Sequence, residues 1–193
     1  MYKDFIKNYI SNSVKVKKQI NTDDKILEEI SKISDLIVKN VRAGSKIFFA
    51  GNGGSYSDAQ HAVAEFIGKF KIDREPIPAL LLGNNSSSMT AISNDISFSQ
   101  IFVRELKSLS SKNDILIVLS TSGESQNIIE AVKYSNQIRM NTFALTGDFN
   151  SSLSKLCTTI KVPSVETEKI QECHIMILHI IAMIVEKKLF SYE

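Results

Sequence analysis

The sequence predicts an α/β fold: a three-layer αβα sandwich around a five-stranded parallel sheet, with two helices ahead of it. Three observations carry that reading. Short unbroken apolar runs recur along the chain, as in Lys46-Ile-Phe-Phe-Ala50 and Asp114-Ile-Leu-Ile-Val-Leu119, which is how strands buried on both faces read. Segments with helical spacing separate them, and strands alternating with helices give a parallel sheet covered on both sides. Two of the strand-to-helix turns, Gly51-Asn-Gly-Gly-Ser55 and Ser120-Thr-Ser-Gly-Glu-Ser125, are rich in glycine and hydroxyls.

The elements follow in order. Residues 2–20 place Phe5, Ile6, Tyr9, Ile10, Ser13 and Val14 at helical spacing among lysines, an amphipathic helix. Thr22 or Asp23 caps a second helix, which lines up Ile26, Leu27, Ile30, Ile33, Ile37 and Val41 and ends at Arg42 and Gly44. The two helices form a pair over 1–43, ahead of an α/β core over 44–193, in one domain. Their apolar stripes need burial, on a neighbouring subunit as readily as on their own sheet. After the first turn, a helix over about 57–70 shows Ala59, Val63, Phe66, Ile67 and Phe70 on one face. Residues 78–83 read as a strand, 84–88 as a polar loop, and 88–108 as helical material broken near Asn94 and Asp95. Strand 114–119 leads to a helix over 125–139, strands 141–147 and 158–163 follow, and a helix over 166–189 comes last.

At 193 residues, 43% hydrophobic and 23% charged, the chain has the length and composition of one globular domain. Its net charge of +2 is unclustered, which argues against nucleic acid or an anionic membrane as a partner. Cys157 and Cys173 sit in apolar surroundings without ligand spacing and read as reduced packing residues. The longest apolar stretch, Ile175 to Val185, contains His179 and falls short of the ~20 residues of a membrane span. The expected location is the cytoplasm.

The chemistry concentrates at the two turns. A turn entering a helix offers backbone N–H groups and a positive dipole end to an anion. Neither turn matches the dinucleotide or nucleoside-triphosphate loop patterns, so the expected ligand is a phosphate monoester. His61 and Glu65 stand one turn apart on the helix after the first turn, with Asp58 on the same side. That face is either solvated or the wall of a pocket. His179 sits in the apolar stretch of the last helix, where a polar ring needs a partner. Either a core carbonyl or the same pocket supplies it. Gln171 lies about 80° away round the helix and can border that pocket, whereas His174, about 140° away, reads as structural. A Glu and a His beside a phosphate site make an acid/base pair for moving a proton between adjacent sugar carbons, and the enediolate so formed needs electrostatic stabilisation. His61, Glu65, Gln171 and His179 also suit a divalent metal, zinc above all. Glutamine is an uncommon ligand, and spacing alone supports a metal only weakly.

Together, Ala50-Gly-Asn-Gly-Gly-Ser-Tyr-Ser-Asp-Ala-Gln-His61 with Glu65, Ser120 to Ser125, Leu145-Thr-Gly147 and Ile170-Gln-Glu-Cys-His174 with His179 resemble the sedoheptulose 7-phosphate isomerase (phosphoheptose isomerase) family of the sugar isomerase (SIS) domain superfamily. The likeness spans nearly the whole chain. It implies a flavodoxin-like SIS fold and an aldose–ketose isomerisation that opens heptose synthesis for lipopolysaccharide or capsule. It also implies a homotetramer with active sites between subunits and one Zn²⁺ per subunit. By motif match, Glu65 and His179 are catalytic, and His61, Glu65, Gln171 and His179 are the zinc ligands. Phosphate and sugar contacts would come from Asn52, Gly53, Gly54, Ser55, Glu65, Asn94, Asp95, Ser120, Thr121, Ser122, Ser125 and Gln171. Three positions depart from the commoner pattern: Glu124 for a frequent Asn, Lys69 for Arg and Glu168 for Asp. Glu124 is expected to turn its carboxylate away from the phosphate. Two rivals share the fold: a regulator that binds the replication initiator and performs no chemistry, and an isomerase of another phosphosugar. The regulator lacks the Glu and His that this chain keeps at 65 and 179.

Overall fold

A computed structural model describes residues 2–190; residue 1 and residues 191–193, the ends of the single-domain reading, lie outside it. Five strands, β1 (Ile47–Ala50), β2 (Ala79–Leu81), β3 (Ile115–Leu119), β4 (Asn141–Gly147) and β5 (Thr158–Val162), form one parallel sheet in the order β2-β1-β3-β4-β5. Helices α1 (Lys3–Asn21), α2 (Asp24–Arg42), α3 (Gly54–Ile67), α4 (Ser86–Asp95), α5 (Ile101–Leu109), α6 (Gln126–Gln137), α7 (Leu153–Leu156) and α8 (Thr167–Phe190) surround it.

Alternation along the strands builds two cores. Ile47, Phe49, Ile115, Ile117, Leu119, Leu145 and Ile160 face a layer of α2, α3 and α8. Phe48, Ala50, Leu116, Val118 and Ala144 face α5, α6 and α7. Every side chain of β1 and β3 is therefore buried, the signature of a strand covered on both sides. At the opposite end of the sheet from the glycine-rich turns, buried Asp114 accepts from the backbone N–H groups of Lys46 (2.8 Å) and Ser111 (2.8 Å). It fixes the starts of β1 and β3 together.

Sequence periodicity and structure part company in a few places. Helix α3 starts at Gly54 rather than near 57 and stops at Ile67, so Phe70 lies beyond it. Its buried arc runs through Ser55, Ala59, Ala62 and Phe66, which sets Ile67 about 110° off the centre; Ile67 is 49% exposed. The Asn85 side chain caps α4 by accepting from the Ser88 N–H, so that helix begins before 88. Helix α7 is too short to leave a periodic signal. Helix α1 departs furthest. It buries only Ser13, Val16 and Ile20, while Phe5, Ile6, Ile10 and Val14 of its apolar stripe face outward. Among the described residues, no helix is long and apolar enough to cross a membrane.

Candidate active site

Strand order reverses between β1 and β3, because β2 lies outside β1 while β4 and β5 continue beyond β3. In open parallel sheets the crevice beyond such a switch point is where ligands sit. Both glycine-rich turns lie there, since β1 feeds the first and β3 the second.

The first turn enters α3 through Gly53, whose φ of +55° is a conformation that side chains resist. Gly54 is needed for a different reason. A Cβ there would lie 2.7 Å from Gln171 Nε2, so the bare backbone lets the Gln171 amide of α8 rest on the first turn of α3. Ser55 is buried behind it. In the second turn Ser120 Oγ accepts from the Gly123 N–H at 3.1 Å and lies 3.3 Å from Ser125 Oγ. Ser122 Oγ accepts from the Glu124 N–H, and the Thr121 carbonyl accepts from the Gly147 N–H. The two turns are tied by a reciprocal amide pair, Asn52 with Asn127 of α6, each bond 2.9 Å. Sequence reasoning missed Asn127, since a lone Asn in a first helical turn carries no signal of a partner 75 residues away.

Beside the first turn, Gly51, Asn52, Gly53, Tyr56, Gly83 and Met89 help line a cavity of about 360 Å³. Tyr56, also unforeseen, closes one side by donating to the Gly83 carbonyl at 3.1 Å. Asn94 and Asp95 end α4, exposed and bonded to each other; among the described residues, no hydrogen bond joins them to either turn.

Two to three turns along α3 from the first glycine-rich turn, His61, Glu65 and His179 meet. His61 Nε2 is 2.8 Å from Glu65 Oε1 and 3.3 Å from His179 Nε2. The helical spacing of four residues brings the first pair together, and packing of α8 on α3 brings the third. Phe70 stacks on the His179 ring at 5.9 Å between centroids. Burial, then the neighbouring His61, hold the His179 imidazole below its ordinary range, against an upward pull from Glu65. Burial also raises the carboxyl of Asp58, half-buried on the same helix. The His61 side chain is 50% exposed, so the cluster opens to the surface of the chain.

Two imidazole nitrogens and a carboxylate oxygen within 4.8 Å of one another are a donor set that fits a metal ion, zinc in particular. His174 plays no part. It is fully buried on another face of α8, where burial pushes its pKa down to about 4. Of the three unusual positions, Lys69 and Glu168 are exposed. Glu124 turns to Ser152, accepting from its N–H (2.6 Å) and its hydroxyl (2.7 Å), and these bonds lower its pKa.

Comparison with known proteins bears on the family and the fold. Residues 8–147 match the family model described as the SIS domain. A phosphoheptose isomerase of Clostridium acetobutylicum is 40% identical over 98% of this chain and 97% of its own. Phosphoheptose isomerase 2 of Campylobacter jejuni is 40% identical over 97% of this chain and 94% of its own. Among solved structures, a phosphoheptose isomerase from Francisella tularensis superimposes with a TM-score of 0.91 at 31% identity, over 97% of this chain and 99% of its own.

Proposed function

The chain belongs to the phosphoheptose isomerases of the SIS domain family, and from that premise we propose that it interconverts D-sedoheptulose 7-phosphate and D-glycero-D-manno-heptose 7-phosphate. The observation that carries the reading is the nearness of Glu65 and His179, 114 residues apart in the sequence, whose ligand atoms lie with that of His61 within 4.8 Å of one another. In this reading the phosphate is held by the backbone of Gly53, Gly54 and Ser55 and the hydroxyls of Ser120, Thr121, Ser122 and Ser125, with Asn52, Gln171, Asn94 and Asp95 toward the sugar. Glu65 removes a proton from C1 of the ketose and returns it to C2. His179 carries the matching proton from the O1 hydroxyl to the O2 oxygen, so the net change is one hydrogen moved from C1 to C2 and one from O1 to O2. An imidazole kept neutral at pH 7 can both give and take that proton.

His61, Glu65 and His179, with Gln171, would hold one Zn²⁺. Bound there, the ion would supply Lewis-acid polarisation of the sugar oxygens. The half-exposed His61 and the bare apolar stripe of α1 support completion of the site by further copies of this chain, as a homotetramer. A cytoplasmic location is supported by the free thiols of Cys157 and Cys173.

Incubation with sedoheptulose 7-phosphate in D₂O, followed by NMR, tests the assignment. Deuterium is expected at the carbon beside the carbonyl, with rates at least ~100-fold lower in Glu65→Gln and His179→Gln, as for lost acid–base groups. Unchanged exchange in Glu65→Gln would remove that residue from the chemistry. No exchange in the native protein, with binding to a replication initiator instead, would favour the regulator. Metal analysis of the same sample tests zinc.

A further inference from the structure

The segment that leaves α3 holds a buried ion pair outside the site. Arg74 and Glu186 have side chains only 2% and 1% exposed and meet at 3.0 Å, Nε to Oε1. Glu186 also accepts from the Lys71 N–H at 3.1 Å. Arg74 spends the rest of its fork on backbone: Nη1 donates to the carbonyls of Phe66 (2.7 Å) and Glu75 (3.1 Å), and Nη2 to the carbonyl of Glu65 (2.8 Å).

A plain reading is a helix cap. The last carbonyls of a helix lack partners, and a cation there suits the dipole. That accounts for Arg74 but not for Glu186. A buried pair is weak evidence for stability, since apolar residues of similar size often serve as well. What distinguishes this pair is what it connects. On α8, Glu186 follows His179 by seven residues, within about 20° of the same stripe. One end of the clamp is thus fixed to the helix face that carries His179. The other end grips the backbone of Glu65 itself. Glu186 also anchors Lys71, the residue after the Phe70 ring that covers His179.

We propose that Arg74 and Glu186 are positioning residues that set the separation of Glu65 from His179. The inference rests on the assignment of those two groups to the reaction. Only the planar guanidinium fork reaches three carbonyls and a carboxylate at once, so lysine cannot replace it.

Three variants test the clamp: Glu186→Gln, Arg74→Lys and the double Arg74→Met/Glu186→Leu. Each is measured for kcat, KM, thermal midpoint and affinity for Zn²⁺ alone by chelator competition. A displacement on the order of 1 Å is enough for a ~100-fold loss of rate, so kcat is expected to fall ~30- to 100-fold while KM moves less than ~3-fold. Zn²⁺ affinity is expected to fall ~10-fold, as when groups that orient ligands are removed. The apolar double variant removes both buried charges at once and is expected to regain part of the thermal midpoint lost in Glu186→Gln without restoring kcat. If Glu186→Gln keeps kcat and Zn²⁺ affinity within ~3-fold of native, or if kcat returns with stability in the double variant, the pair is structural only and the proposal fails. Glu65→Gln is run alongside. Should it retain activity, the assignment of the base has failed, which is a separate result from failure of the clamp.

Discussion

Helices α8 and α1 are both rich in apolar residues, yet the chain finishes one and leaves the other bare. From Lys169 to Glu186 no residue of α8 is exposed. It is flanked by α2 and α3 and lies over the sheet. Helix α1 touches α8 at few points. Tyr9 donates to Glu172 at 3.1 Å, and the buried Lys169 amine lies over the Tyr9 ring, 2.8 Å from its centroid. The rest of its stripe, with Phe5 68% and Ile10 56% exposed, is covered by nothing among the described residues. The contrast separates two jobs. Helix α8 sets Gln171 and His179 against α3, whereas α1 leaves an apolar surface open.

The contrast is broken most strongly from the α8 side. Ile177 is fully buried in the core beneath α2 and α3. Truncating it to alanine removes apolar contacts and leaves a cavity, and a loss of about 3 kcal/mol is expected in urea unfolding, within the usual range for such changes. A loss below about 1 kcal/mol would mean that α8 is packed far less tightly than its burial implies.

A second measurement on the same helix uses pH. Burial depresses the folded-state pKa of His174 from 6.5 to about 4. Below pH 6.5 the unfolded chain binds a proton that the folded chain refuses. This residue's contribution is therefore complete above about pH 6.5 and lost as pH falls toward 4. Between pH 7.5 and pH 5 the loss from this residue alone is about 2 kcal/mol. His174→Leu should remove that share of the acid-side slope. An unchanged slope would show that His174 does not stay neutral in the fold.

These two residues also mark how far the sequence can be read. Burial of the strands was visible as unbroken apolar runs, because β1 and β3 are covered on both faces. The neighbourhood of His61 and Glu65 was visible too, since four residues make one helical turn. The approach of His179 was left open between a core carbonyl and the same pocket, because no local period spans 118 residues; the resemblance to a family favoured the pocket. Arg74 and Glu186 were still less visible. A lone arginine in a polar stretch and a glutamate beside two lysines read as solvated charges, and only the fold buries them together. For α1 the period correctly gave an amphipathic helix, but periodicity does not say what covers a stripe.

That last question gives the prediction with the smallest effect on the fold and the sharpest bearing on the comparison. Phe5→Glu combined with Ile10→Glu places two charges on the bare stripe, where neither side chain is part of either core. Surface changes of this kind alter a chain's own stability by about 0.5 kcal/mol or less, and far-UV circular dichroism should stay as in the native protein. If copies of this chain cover the stripe, burying the charges unpaired is prohibitive. The mass measured by light scattering should then drop from that of an oligomer to that of a smaller species. The same pair of charges in α8, at Ile177 and Ile181, would leave no folded protein to weigh. Retention of the native mass in the α1 variant would show that the stripe is open to solvent in the assembly, and that subunit contacts lie elsewhere.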